Sequence, residues 1–187
     1  MGVRVIPDLV TIAGARRRVL PPGRYLASLE EIQGKFAPDT DANRAKIWQG
    51  FTNFCGLMRQ CVEEIAEIWI GGSFITSEEE PHDIDVVFLI KETVYTRVWS
   101  TAEGSFALNF LLNKSPRTDI KEKYCVDPYL LVVPPTEMGI SPWEYMYLYR
   151  RGYWDQFWSK TRFIDENNSR WKYPLAGFLE VEVDGYN

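Results

Sequence analysis

The sequence predicts an α+β domain of α/β type, with a central sheet flanked by helices. Three observations lead there. A long segment carries apolar residues at three- and four-residue steps, short β-branched runs follow it, and a glycine pair ends the first of those runs. At 187 residues, with 45% apolar and 14% aromatic content, the chain is large enough to bury a dense aromatic core without staples. We read residues 1–22 as an N-terminal arm and residues 23–187 as a single domain.

The arm holds a short apolar stretch, the basic cluster Arg16-Arg17-Arg18 and the turn Leu20-Pro21-Pro22-Gly23. Ser28 stands three residues before Glu31, which is capping-box spacing, so a short helix should start near Ser28 and run to Phe36. Asp39, Thr40 and Asp41 offer N-caps to a long helix whose apolar positions include Ile47, Trp48, Phe51, Phe54, Met58 and Val62. Ile65 to Ile70 reads as a buried strand, the first of the sheet, running into Gly71-Gly72. Ile84 to Ile90 is too short and too apolar for a surface helix and reads as a central strand, with Asp85 as its anomaly.

Thr93 to Leu112 reads as one helix weakened by Gly104, and Tyr124 to Val133 as a strand with Asp127 near its start. Ser141-Pro142-Trp143-Glu144 supplies an N-cap, a proline at the first helical position and a capping-box acid for an aromatic helix reaching Trp158. Leu175 to Val183 alternates apolar and acidic residues and reads as a final, half-exposed strand.

A formal net charge of −5 argues against a surface that coats nucleic acid broadly. No apolar run approaches the roughly 18 residues that span a bilayer, and no secretory signal opens the chain. Cys55, Cys61 and Cys125 are odd in number and form no CxxC pair, so they read as core fillers in a reducing cytoplasm. His82 and the Glu78-Glu79-Glu80 run read as solvated. Arg150, Arg151, Lys160, Arg162, Arg170 and Lys172 fit either an anion-guiding group or a solvated face.

The chemistry concentrates in one order of features: a Gly71-Gly72-Ser73 turn after a strand, Asp83 and Asp85 at the head of the next, and Asp127 at the head of a third. Glycines let backbone N–H groups approach a phosphate, and Ser73 adds a hydroxyl donor, with Thr76 and Ser77 close behind. Residues i and i+2 of a strand share a face, so Asp83 and Asp85 project together. At about 4 Å and an effective dielectric near 20 such a pair repels by about 4 kcal/mol, and Asp127 adds to the conflict. A divalent cation resolves it, and oxygen ligands alone suit Mg²⁺.

The pattern G-G-S, nine residues and D-I-D-V-V resembles the signature of the DNA polymerase β-like nucleotidyltransferase superfamily. From Leu20-Pro-Pro-Gly-Arg-Tyr through Trp69-Ile-Gly-Gly-Ser-Phe-Ile-Thr-Ser to Pro81-His-Asp-Ile-Asp-Val-Val, most of the chain is similar to the small bacterial and phage DUF6932 group. The resemblance implies a minimal nucleotidyltransferase fold with a mixed central sheet. It further implies that Gly71, Gly72 and Ser73 hold a nucleoside triphosphate, ATP by default. Asp83 and Asp85 would bind two Mg²⁺, and Asp127 would complete the metal site and activate the attacking hydroxyl. The implied reaction moves a nucleoside monophosphate to a hydroxyl of a protein or RNA, in a toxin–antitoxin or phage-defence setting. The alternative is a degenerate module that keeps the fold to bind a nucleotide or partner protein. The roughly 60 residues after Asp127 leave little room for a base-recognition domain.

Overall fold

A computed structural model describes residues 5–112, 114–135, 142–161 and 175–186. The chain forms β1 (Gly23–Leu26), α1 (Leu29–Phe36), α2 (Ala42–Val62), β2 (Glu67–Gly71), β3 (Ile84–Lys91), α3 (Glu92–Trp99), α4 (Ala102–Leu112), α5 (Lys114–Tyr124), β4 (Val126–Val133), α6 (Pro142–Trp158) and β5 (Gly177–Glu182). The strands make one sheet in the order β1-β5-β2-β3-β4. Its outer pairs, β1 with β5 and β3 with β4, are parallel, while β5 with β2 and β2 with β3 are antiparallel. The expected α+β fold with a mixed, helix-flanked sheet is therefore present. Among the described residues no helix is long and apolar enough to cross a membrane.

The local signals that are strongest in sequence act as read. Ser28 Oγ accepts from Glu31 N while the Glu31 carboxylate accepts from Ser28 N, so the capping box starts α1. Asp41, the last of the three candidate caps, accepts from Arg44 N at 3.0 Å and starts α2. The core follows the strand alternation. Ile68, Ile70, Val86, Phe88, Leu179 and Val181 are buried on one sheet face, where Phe54 of α2 packs on Phe88 with ring centroids 5.8 Å apart.

Four readings change. First, β1 precedes the strand taken as the first of the sheet, and its four residues carry no alternation of their own. Second, the single helix read over Thr93 to Leu112 is two helices. Ser100 and Thr101 turn their hydroxyls back to the carbonyls of Arg97 and Val98, and Thr101 Oγ1 accepts from Gly104 N. A Cβ at Gly104 would stand 2.1 Å from Val98 O, so the glycine permits the close turn between the two helices.

Third, α5 occupies a stretch with no helical signal of its own. Tertiary packing makes it: Ile120 is buried, Tyr124 packs on Phe54 at 5.5 Å, and a Cβ on Gly50 of α2 would meet Tyr124 O at 2.0 Å. Fourth, β5 is an interior strand between β1 and β2, so Phe178, Leu179 and Val181 are buried and the strand is not half-exposed. The expected cap at Ser141 lies outside the described residues. Of the arm, Ile6, Val19 and Leu20 are buried, and Val10 pairs antiparallel with Val19.

Candidate active site

Strand register brings the separate sequence features into one row. Gly71 of β2 pairs with Asp85 of β3, and Asp85 pairs in turn with Asp127 of β4. Asp83 precedes β3 by one residue and is buried, at 7% exposure. Pro128, which has no backbone donor, is accommodated because β4 is the sheet edge. Three of the predicted elements thus converge at one end of three adjacent strands.

The glycines have separate causes. Gly72 adopts φ +75°, and a Cβ there would stand 1.7 Å from Asp85 Oδ2, so the backbone of the turn lies directly against that carboxylate. Gly71 is covered by α6: its Cβ would meet Trp158 at 2.8 Å. Ser73 then opens a single 3₁₀ turn through Ile75, anchored by the buried side chains of Phe74 and Ile75.

Thr76 and Ser77 serve the loop's own architecture here. Thr76 Oγ1 donates to Ser73 O at 2.7 Å and accepts from Glu78 N, while Ser77 Oγ accepts from Arg18 N at 2.9 Å and ties the loop to the arm. A residue that sequence reading overlooked holds the same loop from beneath. Arg44, 8% exposed on α2, donates to the carbonyls of Phe36, Phe74, Thr76 and Glu78 at 3.2, 2.6, 3.1 and 2.5 Å. Burial lowers its guanidinium from the ordinary value, and Asp41 opposes the shift. Asn43 donates to Pro81 O at 2.9 Å and fixes the far end of the loop. Arg44 reads in sequence as one more polar position of an amphipathic helix, so nothing there marks it.

Lys121 of α5 is the second overlooked residue. Its ammonium forms an ion pair with Asp83 Oδ2. Burial alone would lower the Lys121 pKa, but the hydrogen bond and charge of Asp83, joined by the charges of Asp127 and Asp85, overcome burial and raise it. Tyr129, two residues along β4 from Asp127 and on the same face, donates its Oη to Asp127 Oδ2 at 3.1 Å. Trp154 of α6 packs on the Tyr129 ring at 4.3 Å and closes that side. His82, beside Asp83, is exposed.

Carboxylates are the ligand type that a hard divalent cation takes, and Asp83, Asp85 and Asp127 supply three of them, Asp83 buried and Asp85 with a glycine backbone against it. Among the described residues, no three or more His, Cys, Asp or Glu side chains form a group that could hold a metal ion. The positive charge at Asp83 comes from Lys121. The apolar hollow of about 310 Å³ between α2, α4 and α5 is lined by Phe54, Leu57, Met58 and Phe106 and lies apart from this row.

A family model described as a family of unknown function (DUF6932) matches residues 14–182. The chain belongs to the DUF6932 family. No curated protein and no solved structure matches it. The DUF6932 match spans all five strands, the glycine turn, the three aspartates, Arg44 and Lys121.

Proposed function

We propose that the protein is an Mg²⁺-dependent nucleotidyltransferase that moves a nucleoside monophosphate from a nucleoside triphosphate, ATP by default, to a hydroxyl of a protein or RNA acceptor. The observation that carries this reading is the juxtaposition at one sheet end of the Gly72 backbone with Asp85, and of Asp85 with Asp127. A phosphate-sized anion and several carboxylates share so small a volume only when a cation lies between them.

The chain's residues divide the work. The Gly71-Gly72-Ser73 turn holds the phosphates, its shape maintained by Arg44 beneath. Asp83 and Asp85, with Asp127, would hold the metal, which supplies charge neutralisation on the phosphates and acidifies the acceptor hydroxyl. Tyr129 engages Oδ2 of Asp127, which leaves Oδ1 to take the acceptor's proton. The freed oxygen attacks the α-phosphorus in line, the bond to the bridging oxygen breaks, and pyrophosphate leaves with its electron pair. Free thiols at Cys55, Cys61 and Cys125 suit a reducing cytoplasm.

Incubation with α-labelled ATP, Mg²⁺ and cell extract tests the reading. Label on a macromolecule that disappears in Asp83→Asn and Asp85→Asn is the expected result, and label that is absent or insensitive to both substitutions overturns it. The Lys121–Asp83 ion pair favours one second reading, a non-catalytic module in which an internal cation has replaced the metal. Calorimetry separates the two: that module binds nucleotide with the same affinity with and without Mg²⁺.

A further inference from the structure

We propose that Lys121 is a built-in counter-ion of the carboxylate row, one that leaves Asp83 when a divalent cation binds and thereby sets how much metal the site requires. The inference rests on the metal-binding reading above and deepens it.

The placement of Lys121 is fixed by backbone. Cys125 follows α5 with φ +55°, a left-handed conformation rare outside glycine, and its N–H bonds to Lys121 O at 2.9 Å. The carbonyl of the same Cys125 accepts from Ile84 N at 2.9 Å, which ties the end of α5 to the residue between Asp83 and Asp85. Gly50 lets α2 press against the Tyr124 carbonyl, so this end of α5 has little room to shift. The Lys121 main chain is therefore held beside the head of β3.

The side chain is free to move where the main chain is not. The Lys121 side chain retains 48% of its exposure, whereas that of Asp83 retains 10%. A four-carbon stem with an exposed path to solvent can swing away while the buried carboxylate stays. An ammonium and a divalent cation at one carboxylate oxygen repel each other, so the two occupy Asp83 alternately. Without Lys121 the buried Asp83 carboxylate loses this cationic partner and draws a metal cation more strongly. With it, Asp83 already has a cationic partner that the metal must displace. Both states keep the buried carboxylate paired, as its burial demands.

Binding of Mn²⁺ alone, read from the loss of the free-ion electron paramagnetic resonance signal, tests this without nucleotide or turnover. Lys121→Gln should bind Mn²⁺ about tenfold more tightly than the wild type, about 1.4 kcal/mol, because the ion no longer has to displace the ammonium from Asp83. Lys121→Arg, which keeps the charge, should stay near the wild type, and Asp83→Asn should bind more weakly than either. Equal or weaker binding in Lys121→Gln overturns the inference while leaving the metal site standing. No Mn²⁺ binding in the wild type and Lys121→Gln overturns the metal reading and this inference together. Unchanged far-ultraviolet circular dichroism in the variants confines the effect to charge.

Discussion

The two faces of the same sheet are built to opposite rules. On one, Ile68, Ile70, Ile84, Val86, Phe88, Ile90 and Val126 are buried without a polar interruption, under α2. On the other, Trp69, Val87 and Leu89 are equally buried, yet the same face also holds Asp85, Asp127, Glu67 and Glu180. Away from the carboxylate row this second face is pinned by charge pairs. Arg24 bonds Glu180 at 3.0 Å and pairs with Asp155 of α6, while Glu67 accepts from Trp69 Nε1 at 2.8 Å. Period-two alternation lets one strand serve both purposes, since neighbouring residues answer to different surroundings. The apolar face supplies burial energy, and the second face can then keep like charges close together at one end.

Substitutions can break that contrast. The largest loss of stability should come from the apolar face: Phe88→Ala should lower the unfolding free energy by about 3–5 kcal/mol in urea titration, with cavity formation added to lost burial. Gly72→Ala should follow at about 1–3 kcal/mol in the same titration, since φ +75° strains a Cβ that also meets Asp85. The carboxylate row should behave in the reverse sense. Asp85→Asn and Asp127→Asn should change stability by less than about 1 kcal/mol or raise it, because they relieve like-charge repulsion. Nucleotidyl transfer in labelled-ATP assays should meanwhile fall by about 100-fold or more. A severe loss of stability in Asp85→Asn would erase the distinction between the faces.

The smallest effect concerns pH. Burial raises the Glu180 carboxyl above its ordinary 4.5, Glu67 adds to the shift, and Arg24 opposes it. The folded state therefore holds this proton more tightly than the unfolded chain. Its contribution is full at pH below 4.5 and is lost as pH rises through the folded value. Glu180→Gln should flatten that descent, measured as denaturation midpoints across the window just above pH 4.5.

Much of the architecture is readable because its signals are local. Ser28 and Asp41 cap helices with their own side chains, and β3 is too apolar and too short to be anything but a central strand. Gly71-Gly72 and Asp83-Ile84-Asp85 are recognisable because a turn and a two-residue spacing carry geometry by themselves. The residues that were missed act at a distance. Arg44 lies 30 residues from the Phe74 carbonyl it binds, and Lys121 lies on a helix formed by packing against Phe54 and Gly50. Both look like ordinary surface cations until the chain folds.

The sequence alone determined the α+β class, the starts of α1 and α2, the glycine turn and the spacing of the aspartates, since each depends on neighbours within a few residues. Only the tertiary structure decided that β5 lies inside the sheet, that Asp85 and Asp127 share a register, and that Lys121 answers Asp83. Those outcomes depend on which strand pairs with which, and strand pairing is a non-local choice made by burial of the whole sheet.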